Sequence, residues 1–175
     1  MLAGVLRLQS AGHGVLTVDE PTWLSRSHGF SRAIQSHHFE RASASTSTAL
    51  GTRPGITTMW IGTAARVVGR LLNWTGITNR PLSDASPFSA ELSQIAMALV
   101  SAVLIGIIVV LARRLVGLRT AAVAGVLLAC EPFLVAHNAI LHTDGLVALG
   151  ASAAFLALLH GLRLGVGDDP TGPPR

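Results

Sequence analysis

The apolar positions of this chain gather in its second half. Leu92 to Ala112 (LSQIAMALVSAVLIGIIVVLA) carries no charged side chain and is long enough to cross a hydrocarbon core of about 30 Å. Arg113, Arg114 and Arg119 follow in a short connection, which the positive-inside rule assigns to the cytoplasm. Thr120 to Leu134 then returns outward, with Glu131-Pro132 at its outer end, and Gly145 to Leu162 (GLVALGASAAFLALLHGL) goes back in, with Arg163 at its inner end. The pattern predicts three membrane helices within 92–164, an outer loop over 131–144 and a cytoplasmic, disordered tail over 165–175.

The first half reads differently. Residues 1–18 are apolar in flavour but are interrupted by Arg7, Gln9 and His13, and they lack the basic start and small-residue cleavage site of a secretory signal. They read as the tail of a truncated or degenerate first membrane helix. Residues 19–91 then form an extracytoplasmic loop carrying amphipathic helices. Asp19 to Phe39 reads as a surface helix, with Pro21 suited to its first turn and Trp23, Leu24, Phe30 and Ile34 at helical spacings; Trp23 suits the interfacial aromatic belt. Glu40 to Arg53 is a Ser/Thr-rich, solvent-facing loop. From Pro54-Gly55 to about Leu72, Ile56, Met59, Trp60, Ala64, Val67 and Leu71 recur three and four apart, which predicts an amphipathic helix with Arg66 and Arg70 on its polar side. The polar stretch Asn73 to Pro87 breaks it.

Composition supports the same division. With 175 residues and 50% hydrophobic content the chain could bury an aqueous core, yet its apolar residues are segregated rather than periodic throughout. The net charge is +4, and all thirteen basic residues are Arg, scattered without aromatic interleaving, which excludes a nucleic-acid footprint. Cys130 stands alone, so it makes no internal disulfide. The absence of Lys and Tyr beside abundant Ala, Gly and Arg suggests a high-GC bacterial coding sequence.

Chemistry concentrates at the predicted outer boundary. Glu131 to Gly145 places two carboxylates and two imidazoles between two apolar segments, where an acid costs roughly 2.5–3.5 kcal/mol if drawn into hydrocarbon. The topology puts Asp19-Glu20 on the same face. Each group has two readings. Asp19 and Glu20 either cap a helix or supply a general base that takes a proton from an acceptor hydroxyl. Asp144 caps the inward-going helix, and Glu131 ends a helix in water, or the two meet and hold a divalent ion. His137 and His142 are interfacial residues or bind phosphate when protonated. Arg53-Pro54-Gly55, at a helix N-terminus, contacts lipid headgroups or a specific phosphate.

Together, Asp19-Glu20, Arg53-Pro54-Gly55-Ile56-Thr57-Thr58-Met59-Trp60 and Glu131-Pro132-Phe133 through His142-Thr143-Asp144 resemble, in kind and in order, motifs of the polyprenol-dependent membrane glycosyltransferases. The resemblance is to the N-terminal part of the protein O-mannosyltransferase and aminoarabinose-transferase superfamily with the GT-C fold. It implies an all-α, multi-pass membrane protein of the bacterial cytoplasmic membrane whose active face is extracytoplasmic. It implies Asp19 as catalytic base, Glu20 placing the acceptor, and Arg53, Glu131, His142 and Asp144 binding donor phosphate or acceptor, with Glu131 and Asp144 as candidate ligands of a divalent metal. The implied donor is a polyprenyl-phosphate-linked hexose, transferred with inversion to a protein, glycan or lipid acceptor; membrane lipid is the surrounding partner. Arg53 stands where many relatives have His. Family enzymes have many more membrane helices than these three, so the chain resembles the first third of an enzyme, as a fragment, a decayed copy or half of a split glycosyltransferase. The rival reading is a non-catalytic membrane module that packs against a partner through Gly150, Ala151, Ser152, Ala153 and Ala154.

Overall fold

The computed structural model describes residues 1–11, 17–38, 55–83 and 86–162, and every regular element among them is an α-helix. In chain order these are α1 (Leu2–Ser10), α2 (Glu20–Gln35), α3 (Ile56–Trp74), α4 (Pro87–Val116), α5 (Leu118–Cys130), α6 (Pro132–His137) and α7 (Asp144–Gly161). The loop expected over 40–53, Arg53 with it, and the tail over 165–175 lie outside the described residues.

Helix α4 is the axis on which α1, α3, α5 and α7 pack. Its start is set locally: the Ser86 hydroxyl accepts from the backbone N–H of Ser89 at 3.1 Å, and Pro87 occupies the first turn, where its missing N–H costs nothing. At 30 residues, or about 45 Å, it extends the span expected over Leu92–Ala112 at both ends. It stops at Gly117, whose φ of 83° lies in the left-handed region open to glycine, and this single residue turns the chain into α5.

By length and composition α4 and α7 can each cross a membrane. Their apolar windows are only 33% and 17% buried, the reverse of a core helix in a water-soluble domain. Leu99, Val103, Ile107 and Val110 on α4 and Val147, Phe155 and Leu158 on α7 face outward. Helix α5 has 13 residues, about 20 Å, and the outward segment expected over Thr120–Leu134 is divided at Glu131-Pro132 into α5 and α6.

The two larger interior clusters among the described residues hold most of the helices together. Ala3, Ile105, Ile108, Ala129 and Leu149 join α1, α4, α5 and α7 in the apolar half. Trp23, Leu24, Ile61, Ala90, Met97, Leu141 and Leu146 join α2, α3, α4, α7 and the 138–143 connection at the other end. Trp23, which the sequence suited to a membrane interface, is instead buried here at 3% exposure, because α3 and the 138–143 connection close over it.

Helix α3 corrects its expected orientation. Ile56, Trp60, Val67 and Leu71 of the predicted apolar face are exposed, and the packed face carries Thr58, Met59, Ile61, Gly62, Ala65 and Gly69. Small residues decide this. A Cβ on Gly62 would run into the Ser27 side chain, and one on Gly69 would meet Leu82 and Leu92 at 2.7 and 2.8 Å, so α2 and α4 approach only this side.

Helix α1 lies where a truncated first membrane helix is expected, and its interrupting residue has a structural task. Arg7 is fully buried, and its guanidinium donates to the carbonyls of Ala3 (3.2 Å), Ala129 (3.1 Å) and Leu128 (3.5 Å). The last two belong to the end of α5, where Pro132 offers no N–H to close the helix.

Candidate functional site

The site forms where the start of α2 meets the 138–143 connection and the first turn of α7. Glu20 is its floor. Its carboxylate is buried at 1% exposure and accepts from three segments: Gln94 Nε2 of α4 at 3.0 Å and Leu141 N–H at 3.1 Å on Oε1, and Thr17 N–H at 2.8 Å on Oε2. A buried carboxylate is tolerable when its lone pairs are so occupied.

Asp19, one residue earlier, has the opposite environment. It stands at the N-cap of α2 but makes no capping hydrogen bond, and its side chain is 54% exposed. His142 Nε2 lies 3.8 Å from Asp19 Oδ2, and His142 Nδ1 lies 3.6 Å from Asp144 Oδ2. The imidazole thus stands between two carboxylates that are remote in sequence. Nδ1 also faces the backbone N–H of Asp144 at 3.4 Å. In the neutral ring that contact makes Nδ1 the acceptor and leaves the proton on Nε2, on the side of Asp19. Trp23 meets the His142 ring edge-on at 6.1 Å, with the Arg26 guanidinium 4.7 Å from the Trp23 ring centre.

The start of α3 approaches the same place. A Cβ on Gly55 would lie 2.5 Å from Trp23 and 3.2 Å from Thr143 Oγ1, so only glycine fits this crossing. Thr143 precedes α7 at its N-cap without making a capping hydrogen bond, and its buried Oγ1 has no hydrogen-bond partner among the described residues. Asp144, in the first turn of α7, is 70% exposed at its side chain.

The predicted residues therefore separate. Asp19, His142 and Asp144 come together, and Glu20 supports them from below. Glu131 is engaged elsewhere: its carboxylate accepts from Leu134 N–H at 2.6 Å and caps α6. His137 stacks on Phe133 at 3.9 Å, on α6. Among the described residues no group of three or more His, Cys, Asp or Glu side chains is arranged to hold a metal ion, and Glu131 and Asp144 form no cradle by themselves. Sequence reasoning passed over Gln94 and the Leu141 N–H. Gln94 did leave a signal, as an amide within an otherwise apolar, charge-free segment; the backbone donor left none.

With the geometry established, comparison with known proteins gives one finding. Residues 86–165, just under half the chain, match the model of the family described as dolichyl-phosphate-mannose-protein mannosyltransferase. The match supports a GT-C-type glycosyltransferase segment and spans α4 to α7 with Glu131, His142 and Asp144, while Asp19, Glu20 and Arg53 precede it. No curated protein and no solved structure matches the chain.

Proposed function

We infer that this chain carries the acceptor-activating part of a membrane glycosyltransferase that moves a sugar from polyprenyl phosphate to an acceptor outside the cytoplasmic membrane of a bacterium. The supporting observation is the exposed Asp19 carboxylate 3.8 Å from His142, which lies with Asp144 inside the family match while Asp19 precedes it. Asp19 takes the proton of the acceptor hydroxyl as that oxygen attacks the anomeric carbon. The bond from that carbon to the donor phosphate breaks, the configuration inverts and polyprenyl phosphate leaves. His142 orients Asp19 through Nε2, and the backbone N–H of Asp144 holds Nδ1 on the other side of the ring. Arg53 is the candidate cation for the leaving phosphate, with a divalent ion as an alternative source of charge. Glu131 serves the reaction only by shaping α6.

The test is sugar transfer from polyprenyl-phosphate-hexose in membranes containing this chain, with and without the product of the adjacent reading frame. Asp19→Asn is expected to abolish transfer while membrane insertion is retained, and unchanged transfer removes Asp19 as the base. A second reading, a non-catalytic module docked on a partner membrane protein, draws on α7: its outward face is apolar, and a Cβ on Gly150 would meet nothing within 4 Å. Failure of transfer in both kinds of membrane, with co-purification of a partner that Gly150→Leu disrupts, supports that reading instead.

A further inference from the structure

His142 reaches its place between Asp19 and Asp144 through a short reversal from the end of α6 to the start of α7. Helix α6 closes with Asn138 N–H on Leu134 O at 2.9 Å and Ala139 N–H on Ala136 O at 3.3 Å. The reversal is anchored midway by Leu141 N–H on Glu20. Its two ends meet at one contact. Asn138 is fully buried, and its Oδ1 lies against Gly145 so closely that a Cβ there would overlap it and would stand 3.1 Å from the carboxamide carbon. Neither Nδ2 nor Oδ1 of Asn138 has a hydrogen-bond partner among the described residues. A buried amide left so is costly, and its presence at a crowded contact points to a task other than stability.

We propose that Asn138 and Gly145 are the positioning pair of this site: the Asn138 carboxamide seated on the Cβ-less face of Gly145 sets the reversal that carries His142 between Asp19 and Asp144. The chemical consequence rests on the function inferred above, but the placement of His142 does not. Enlarging Gly145 pushes the two ends of the reversal apart, and Glu20 then holds Leu141 while His142 is displaced. Trimming Asn138 opens the space that a methyl group at position 145 needs.

The test reads geometry first. In a Cys130→Ser background, Asp19→Cys and His142→Cys are joined in native membranes by a short thiol-bridging reagent. The Asn138 and Gly145 pair should give efficient bridging, Gly145→Ala should lower it roughly fivefold or more, and Gly145→Ala with Asn138→Ala should restore most of it. If Gly145→Ala does not accumulate, recovery of accumulation and bridging in the double variant supports the pair equally. Unchanged bridging in Gly145→Ala, or no recovery in the double variant, overturns it. Transfer assays on otherwise unaltered chains then separate the two inferences. Gly145→Ala should lower kcat more than KM, with rescue by Asn138→Ala. Bridging that follows this pattern beside transfer indifferent to Asp19→Asn would retain the positioning pair and sink the catalytic reading.

Discussion

The guanidinium of Arg7 donates to the carbonyl of Ala129 at 3.1 Å, across more than half the chain, and thereby ties α1 to the end of α5. The need arises in the sequence at Pro132. An uninterrupted helix would bring the N–H of residue 132 to Leu128 O, and proline has none; Arg7 stands 3.5 Å from that oxygen instead. Arg7→Gln should destabilise the folded chain by about 2–4 kcal/mol, since it removes charged donors and leaves buried carbonyls open. Pro132→Ala restores the N–H, so the cost of Arg7→Gln should shrink in its presence by roughly 1 kcal/mol. Thermal unfolding of the four proteins in detergent checks this, and strictly additive effects would refute the link.

Glu20 and Asp19 should answer differently to the same amide substitution. In Glu20→Gln one oxygen becomes an NH2 group, which must face either Thr17 N–H or the donors from Gln94 and Leu141. The expected loss is about 1.5–3 kcal/mol of stability. Asp19→Asn caps nothing and is exposed, so its stability should stay within about 0.5 kcal/mol of the parent. Unfolding midpoints decide; a stable Glu20→Gln protein would show that the three hydrogen bonds contribute little.

Glu131 is a cap in this fold, and a cap can be replaced. Glu131→Ser should keep the α6 start within a few tenths of a kcal/mol, whereas Glu131→Ala should cost about 0.5–2 kcal/mol. Transfer, where it is measurable, should survive Glu131→Ser. Loss of transfer without loss of stability would return Glu131 to the phosphate or metal role that the resemblance implies.

The outward faces of α4 and α7 offer a test of their surroundings. Val103 is 62% exposed near the middle of α4. On a water-facing helix Val103→Asp would be nearly silent, but in a bilayer it should cost roughly 2.5–3.5 kcal/mol of insertion free energy. Glycosylation mapping of the inserted fraction measures this, and unaltered insertion would argue against a lipid-facing α4.

Much of this protein was determined by its sequence alone. A charge-free run of apolar residues inside a hydrocarbon layer can satisfy its backbone only as a helix, so α4 and α7 follow from local composition. The helix start at Ser86-Pro87 uses residue types that cap or tolerate a first turn, whereas Glu131, read from the sequence as ending a helix in water, caps the start of α6 instead. The acidic and histidine residues at the outer boundary could be named because charge is expensive there. Only the tertiary structure decided which of them meet. Asp19, His142 and Asp144 share no periodicity; they converge because Glu20 reaches a backbone N–H on the 138–143 connection and a side chain of α4. The packed face of α3 was also hidden, since both of its faces are apolar and only the small residues Gly62, Ala65 and Gly69 admit a neighbour closely. Arg7 looked like a flaw in a membrane helix until the end of α5, distant in sequence, presented it with the carbonyls of Ala129 and of Leu128, the latter lacking an N–H from Pro132. Local chemistry thus specified the helices, and contacts between distant segments assigned their ionisable groups to structure or to the site.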